Sequence, residues 1–389
     1  METVLLNRCS GVTDDGKQIL EGQMPMTGNS SGAVPRRALL ALALAALVAA
    51  CAVTEEKGEE GRARGIADNG VTTPVHDVSG RPIPGGLSGP GSVQAPGTGS
   101  DAPEAASAAG GHESAWRIEH SLRLPARLAF DPGGSNLYVS DPLVGSVFRL
   151  DSKLTAAGEL KGLDKPLGLA VGRAGMLFVG NDGRDDIEVF LPDGTLHAVL
   201  APGLVKMPNV LLFEPGGRLV VADSSEDRIV VLDVEGQGVS VFNGAAWPGG
   251  PMRFPSALAV LPGPDGRTEL YVADQVNCRV VVCDVSGAWK RTLGGPAEAF
   301  SDQWKGRFTR LQALAFDSKG QLHVLDSYQH TVQVIDPASG EFVDAYGKFG
   351  RGPAELNNPL DLLMVGGNAF VASAGNHRVQ ALAGPGERP

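Results

Sequence analysis

The chain has 389 residues and a formal net charge of −11. This acidic balance argues against a nucleic-acid partner, because phosphate backbones are bound by clustered Lys and Arg side chains. Gly (53 residues) and Pro (27 residues) together make about a fifth of the chain; an average protein has roughly 12%, so the composition favours a turn-rich all-β protein with a flexible segment.

Residues 1–50 are predicted to form an export signal region. Arg36 and Arg37 precede the apolar run Ala38–Ala50, and a basic pair before a short apolar core is typical of secretory signals. The run is shorter than the roughly 20 residues of a membrane-spanning helix. Residues 1–23 do not fit an export signal, which normally begins near the start of a chain, so we expect that the true start codon lies downstream of them.

The apolar run ends in Val48-Ala49-Ala50-Cys51. These residues resemble the lipobox of bacterial lipoproteins, in which the cysteine is acylated and becomes the mature N-terminus. The resemblance implies a lipid anchor at Cys51, and Ala52 resembles the sorting rule for the outer membrane. The alternative is an ordinary signal peptide that ends in a cysteine by chance. We therefore expect an exported protein that is held at the bacterial cell envelope.

Residues 51–114 are predicted to be a disordered tether. Gly, Pro, Ala, Ser and acidic residues dominate the segment, and residues 54–114 contain no aromatic residue. Such a composition buries too little apolar surface to offset the entropy of an ordered chain. About 60 residues of flexible chain span roughly 45 Å, so the tether would let a folded domain stand away from the membrane.

The rest of the chain repeats one unit six times. A copy has a Pro, a short apolar run, a Gly-containing turn, a second apolar run and then a third, as in LPARLAFDPGGSNLYVSD followed by SVFRLD. In the fifth copy Leu311 replaces the Pro. The copies are spaced 40 to 52 residues apart, and short Val-rich runs at such a period are typical of radial repeats with one four-stranded blade per copy. The second runs end at Asp141, Asn181, Asp223, Asp274, Asp326 and Ser373.

The pattern of Pro, then Leu-Tyr-Val-Ala-Asp, then Asn-His-Arg-Val resembles NHL repeats. The resemblance covers Trp116–Leu382 and implies an all-β, six-bladed β-propeller of the NHL/TolB-like type. We expect the propeller over residues 115–383 and a tail over 384–389. The sixth copy lacks a fourth run, and the alternating segment Ala115–Leu122 is predicted to supply that strand and close the ring, since a closed ring has no open edge.

Two recurring features are predicted to shape the turn between the second and third runs. The Asp that ends the second run and the Arg that opens the third should pair, as in Asp223/Arg228 and Asp274/Arg279. His377 in the sixth copy occupies a position whose residue type varies, which indicates a structural role and not a catalytic one. The equivalent residues are Asp185, Asp227, Cys278 and His330.

Residues that follow the repeat Pro should open the innermost strands and surround the channel. This ring lacks the several carboxylates of a calcium site and the three imidazoles of a common zinc site, so we predict no metal and no cofactor. Arg127 and Asp361 belong to blades that become neighbours when the ring closes, and are predicted to form a structural ion pair; the alternative is a catalytic dyad. The channel-mouth candidates for ligand binding are Arg127, Asn209, Ser256, Gln312 and Asp361.

Two long inserts, Phe242–Pro255 and Leu293–Phe308, place large aromatic residues in loops before the first strand of a blade. Loops on a rigid frame often carry recognition. The alternative is that the aromatic residues pack between blades. The loop-face candidates for binding are Trp247, Phe300, Trp304, His330 and His377.

These observations predict a monomeric scaffold that binds an envelope protein or a small ligand and contacts the membrane through its lipid anchor. The alternative function is that of a propeller-type metal-dependent hydrolase or lyase, lactonase-like or amidating-lyase-like, with its site at the channel mouth. No catalytic residue is assigned from the sequence.

Overall fold

The computed structural model describes residues 122–151, 153–233, 239–263, 265–297 and 304–384. The predicted signal region, Cys51, the tether and all but the last residue of the predicted closing strand lie outside the described residues, as do Phe300 and residues 385–389. Within the described ranges, no helix is both long enough and apolar enough to cross a membrane.

The described chain forms 23 β-strands and two short 3-10 helices, Ser224–Glu226 and Ala374–Asn376. The strands of blades one to three are β1 (Arg127–Phe130), β2 (Leu137–Asp141), β3 (Ser146–Leu150), β4 (Ala156–Lys161), β5 (Pro166–Val171), β6 (Leu177–Asn181), β7 (Asp186–Phe190), β8 (Leu196–Leu200), β9 (Pro208–Phe213), β10 (Leu219–Asp223), β11 (Arg228–Leu232) and β12 (Val239–Phe242). The strands of blades four to six are β13 (Pro255–Pro262), β14 (Thr268–Asp274), β15 (Arg279–Cys283), β16 (Trp289–Leu293), β17 (Leu311–Phe316), β18 (Leu322–Asp326), β19 (Thr331–Ile335), β20 (Phe342–Tyr346), β21 (Pro359–Val365), β22 (Asn368–Ser373) and β23 (Arg378–Ala383).

Each blade is an antiparallel sheet whose strands follow one another in chain order. Five sheets have four strands, and the sixth has three among the described residues. The first strand of every blade contacts the first strand of the next, and β21 of blade six contacts β1 of blade one. The predicted all-β, six-bladed β-propeller is therefore confirmed.

The hydrophobic core is divided among the six interfaces between neighbouring blades. Each of six apolar clusters combines side chains from two adjacent blades. The central strands β6, β10 and β18 are buried along their whole length, because both faces of these strands pack against a neighbouring sheet. This burial explains why the second run of each copy is almost continuously apolar in the sequence.

The turn between the second and third strands has one backbone conformation in all six blades. The residue before the third strand has a φ between 53° and 65° in every blade. The left-handed region strains most residues and suits Gly or a short polar side chain. The six copies therefore share a backbone shape at this position and not a side chain, as predicted for His377. Its six occupants are Gly145, Asp185, Asp227, Cys278, His330 and His377.

The predicted pairs of Asp and Arg are confirmed and hold this turn. Arg228 Nε donates to Asp223 Oδ2 at 2.9 Å, and Arg279 Nε donates to Asp274 Oδ2 at 2.7 Å. Asp223 Oδ1 also accepts backbone N–H groups of Lys206 and Met207 at 2.9 and 3.0 Å. One buried carboxylate thus fixes both the turn and the segment that enters the first strand of its blade.

Candidate functional site

Arg127 opens β1 and extends into the centre of the ring. Only 5% of the residue is exposed. Because β1 is the innermost strand of its sheet, that sheet offers no further strand to the guanidinium on the side of the channel. Its buried donors require acceptors, because an unpaired charged donor costs several kcal/mol. The other blades supply those acceptors.

The Arg127 guanidinium binds groups from four other blades. Nε donates to the carbonyl oxygen of Asn209 at 3.0 Å, and Nη2 donates to Asn209 Oδ1 at 2.7 Å. Nη2 also donates to the carbonyl of Ser256 at 3.0 Å. Nη1 donates to the carbonyls of Gln312 and Leu360 at 3.0 and 2.8 Å. These bonds account for all five N–H donors of an arginine, so the side chain connects blade one to blades three, four, five and six.

Asp361 lies beside this centre, as the predicted ion pair requires. Its Oδ1 is 3.7 Å from Arg127 Nη1, and its Oδ2 accepts the backbone N–H of Leu128 at 2.8 Å. Burial raises the pKa of Asp361 to about 6, against the opposing charge of Arg127. The carboxylate joins blade six to blade one through both contacts, which supports the predicted structural ion pair over the alternative of a catalytic dyad.

The other three channel-mouth candidates are also buried and brought together around Arg127. Asn209 Nδ2 donates to Ser224 Oγ at 3.1 Å. Ser256 Oγ donates to the carbonyl of Leu311, in the next blade, at 2.8 Å. Gln312 is 5% exposed. These contacts stabilise the ring, and a role of the five residues in binding a ligand stays a prediction.

The lactonase-like and amidating-lyase-like alternative implies a divalent cation at this end of the channel. The donor set does not fit one, because a cation there would lie beside the Arg127 guanidinium and only Asp361 of the five candidates is a carboxylate. In the described ranges, no group of three or more His, Cys, Asp or Glu side chains is placed to hold a metal ion. The channel centre is a structural junction of the blades.

The large aromatic residues of the inserts differ in their surroundings. Trp247 is buried between blades three and four, and its Nε1 donates to the carbonyl of Gly287 at 2.8 Å. For this residue the alternative of packing between blades holds. Trp304 is partly buried, with its ring 5.7 Å from that of Phe342 in an edge-to-face contact.

The two histidine candidates lie in equivalent turns of blades five and six. His330 is half-buried with its ring 4.8 Å from that of Phe349, and burial lowers its pKa, against the charge of Asp326. His377 is exposed, and its Nδ1 donates to the carbonyl oxygen of Arg123 at 2.6 Å. His377 therefore joins blade six to the segment that enters blade one.

One face of the propeller carries both the loops between blades and the turns between second and third strands. We call it the loop face; antiparallel strands in chain order place all these connections at the same end. Among the described residues, eight large hydrophobic side chains are exposed, and five of them lie on this face. We call these five the apolar arc: Leu143, Val144, Val276, Tyr328 and Phe349, with exposures of 48, 41, 37, 60 and 66%.

The apolar arc is not among the residues predicted from the sequence, although the repeats contain a signal for it. Leu143, Val276 and Tyr328 each stand two residues after the Asp that ends the second strand. The same position holds Gly183, Ser225 and Gly375 in the other copies. At that position, blades one, four and five therefore have a large apolar side chain, and the other three blades have a small residue.

The comparisons with known proteins agree on the fold. No family model and no curated protein matches the sequence. An auxiliary nutrient binding protein from Bacteroides thetaiotaomicron matches with a TM-score of 0.52 and 13% identity over 67% of this chain and 69% of that one. A gluconolactonase from Xanthomonas campestris matches with a TM-score of 0.51 and 16% identity, over 70% of this chain and 88% of that one. Virginiamycin B lyase from Staphylococcus aureus matches with a TM-score of 0.50 and 12% identity, over 68% of this chain and 82% of that one. Such identities show the fold alone, and the chain is a six-bladed β-propeller.

Proposed function

We propose that the protein is an exported, lipid-anchored propeller that binds a partner protein at the cell envelope through its loop face. The apolar arc is the observation that carries this proposal. Five of the eight large hydrophobic side chains exposed among the described residues lie on this one face. Apolar surface exposed on one face is a feature of interaction sites, and loops on a rigid frame are where such sites are found. The ring supplies the rigid frame, and Arg127 holds its centre.

The metal-dependent hydrolase or lyase is the weaker alternative. Its site would lie at the channel mouth, where the Arg127 guanidinium stands among backbone carbonyls. The gluconolactonase and the lyase share only the fold with this chain, and a fold of this kind hosts many unrelated functions. No contact among the described residues favours chemistry over binding.

Membership of the NHL-repeat family is part of the same proposal. Its support is the six-fold repeat with a left-handed residue before each third strand. In the sixth copy this turn reads Asn376-His377-Arg378, which shares its first two residues with the Asn-His-Leu signature that gives the family its name. The buried Asp and Arg pairs of blades three and four recur at fixed positions of the repeat. These features support the proposal by pattern and do not depend on the identity of a ligand.

The lipid anchor is tested at Cys51. We expect that cells given a labelled fatty acid incorporate the label into the wild-type protein and not into a Cys51→Ser variant. Fractionation should then place the wild type with the outer membrane and the variant in the soluble periplasmic fraction. Label on the Cys51→Ser variant, or a cytoplasmic wild type, would overturn the proposed anchor and location.

Binding through the loop face is tested with a photo-crosslinking amino acid in living cells. Placed at Tyr328, which is 60% exposed on the loop face, it should give a discrete adduct with a second protein. Placed at Val343, which is 46% exposed on the outer strand β20, it should not. No adduct at position 328, or equal adducts at both positions, would refute the proposed binding face.

A further inference from the structure

The geometry points to the pattern of charges on the partner surface that binds the loop face. This inference rests on the proposed function and deepens it. The partner surface is acidic around apolar side chains where it covers blades four, five, six and one. It is basic where it covers blades two and three. The loop face divides into two sectors of opposite character, and this division defines the partner.

The first sector combines the apolar arc with exposed positive charge. Among the described loop residues of this sector the one acid that is not buried, Glu355, is bound by Lys348 Nζ at 3.3 Å and by the N–H of Gly352 at 2.8 Å. Glu298 and Asp302 of the same loops lie outside the described residues. The Asp residues that end its second strands are fully buried and accept backbone N–H groups. The exposed basic residues of this sector are Arg123, Arg253, Lys305, Arg307, Lys348 and Arg351.

The second sector, on blades two and three, has the opposite character. None of the exposed large hydrophobic residues of the described chain lies in its loops. Its four basic side chains are paired: Lys206 with Asp185 at 3.0 Å, Lys165 with Asp182 at 3.9 Å, Arg228 with Asp223 at 2.9 Å, and Arg184 with Glu188. The acidic loop residues that outnumber them are Asp164, Asp182, Asp185, Glu226 and Asp227.

The carboxylates of this sector also repel one another. The pKa of Asp182 is raised by its burial and, more weakly, by the charges of Asp185 and Asp164, against the opposing effect of Lys165. Bound basic groups would relieve this repulsion. Complementary charge on both sectors would orient the partner and speed its association.

The split pattern favours a protein over a lipid bilayer. Apolar side chains among Lys and Arg would suit an anionic membrane surface if they stood alone. A flat anionic bilayer that reached the first sector would also meet the carboxylates of the second, which lie on the same face. A protein surface carries acidic and basic groups side by side, so it matches both sectors at once.

The test uses the full mature chain with the photo-crosslinking amino acid at Tyr328. We expect that mass spectrometry identifies a crosslinked partner peptide that is rich in Asp or Glu beside apolar residues. The double variant Arg307→Glu, Arg351→Glu should reduce the yield of adduct by about tenfold or more, because like charges at an interface are strongly unfavourable. The control Arg267→Glu, Lys319→Glu makes the same charge change on exposed residues of the opposite face and should leave the yield within about twofold.

The second sector is tested with Asp164→Lys, Glu226→Lys, which should also reduce the yield of adduct. A crosslinked peptide without acidic residues, or equal losses in the test and control variants, would overturn the inference and leave the proposed function standing.

Sedimentation of the purified protein with phosphatidylglycerol vesicles supplies a further check. Binding to vesicles that Arg307→Glu, Arg351→Glu abolishes would assign the face to the membrane and overturn the inference. No adduct in any variant would refute the proposed function as well.

Discussion

At the scale of single residues, Arg127 links more of the molecule than any other side chain described above. Its planar guanidinium presents five donors in fixed directions, which a lysine ammonium does not. The carbonyl groups that it binds belong to residues 82 to 233 positions away in the chain. The side chain thus ties together parts of the fold that share no sheet.

Replacement of Arg127 by Met should destabilise the protein strongly. The change removes the donor to four backbone carbonyl groups and to Asn209 Oδ1, and it removes the counter-ion of Asp361. Loss of one partner from a buried charged network costs about 3–5 kcal/mol. Urea unfolding of Arg127→Met and Arg127→Lys should give a smaller loss for Lys, which keeps the charge. A Met variant whose free energy of unfolding lies within about 1 kcal/mol of wild type, the size of an ordinary substitution effect, would show that the centre is unimportant for stability.

His323 should make stability depend on pH. Its ring is fully buried, with Nδ1 2.8 Å from Tyr346 Oη and Nε2 3.3 Å from Asp317 Oδ2. Burial lowers the pKa of His323, against the opposing effect of Asp317. Because the folded pKa lies below the unfolded value of roughly 6.5, the unfolded state binds the proton more tightly. The contribution of His323 to stability is therefore complete above that pH and is lost as the pH falls below it.

The free energy of unfolding at pH 7.5 and pH 5 measures this effect. The wild type should lose more stability between the two values than a His323→Gln variant, whose side chain does not titrate. The difference between the two proteins isolates His323 from the other groups that titrate in the range, such as Asp361. An equal loss in both proteins would contradict the assignment.

At the scale of elements, the turn between the second and third strands shows how one backbone shape accepts different residues. Asp185, Asp227 and His377 adopt the same left-handed conformation as Gly145. Gly145 has a further reason to be Gly, since a Cβ atom there would lie 2.7 Å from the carbonyl oxygen of Leu163. Blade one thus packs its turn against the following loop more closely than a larger residue would allow.

Two alanine substitutions separate the conformational cost from the steric cost. Gly134 has a φ of 66° and no atom within 4 Å of the place that an added methyl group would occupy, whereas Gly145 has a φ of 65° and the close Leu163 oxygen. Gly134→Ala should cost about 1 kcal/mol for the left-handed conformation alone, and Gly145→Ala about 2–3 kcal/mol. Thermal unfolding of both variants checks this order. Equal losses of stability would mean that the backbone at Gly145 shifts away from the Leu163 oxygen at no energetic cost.

The sequence allowed the strands, the number of blades and the Asp and Arg pairs to be predicted, because all three follow from local patterns that recur in each copy. Trp247 could not be placed, because its burial depends on Gly287, which lies 40 residues away in the next blade. The five bonds of Arg127 were also out of reach, because they are made mainly to backbone carbonyls, and these carry no sequence signal. Among the candidate residues, the location of the channel ring was predictable, and the contacts that fill it were not.

At the scale of the whole molecule, the ring has six interfaces between blades, so every blade packs against two neighbours. The interface between blades six and one includes Leu122, which is 3% exposed and packs in one cluster with Phe370 and Val379. The chain thus enters the propeller at the point where the ring closes. That the segment just before Leu122 completes the sixth sheet, which has three strands among the described residues, stays a prediction.

Truncation tests that closing strand. A chain that begins at Ala115 should be as stable as one that begins at Ala52, whereas a chain that begins at Leu122 should lose about 3 kcal/mol or more, since it lacks two large apolar side chains, Trp116 and Ile118, that we expect to be buried. Urea unfolding of the three chains measures the difference. Equal stability of all three would show that the sixth blade has no strand from this segment.

The most direct test of the whole account asks whether the loop face is the binding face. A Tyr328→Ser, Phe349→Ser variant and a Val241→Ser, Val343→Ser variant each remove two exposed apolar side chains, from the loop face and from outer strands respectively. The measurement is the amount of partner that co-purifies with each folded protein from detergent-solubilised envelopes, after the partner is identified by crosslinking at position 328. The account predicts loss of the partner from the first variant and retention by the second, and equal retention by both would contradict it.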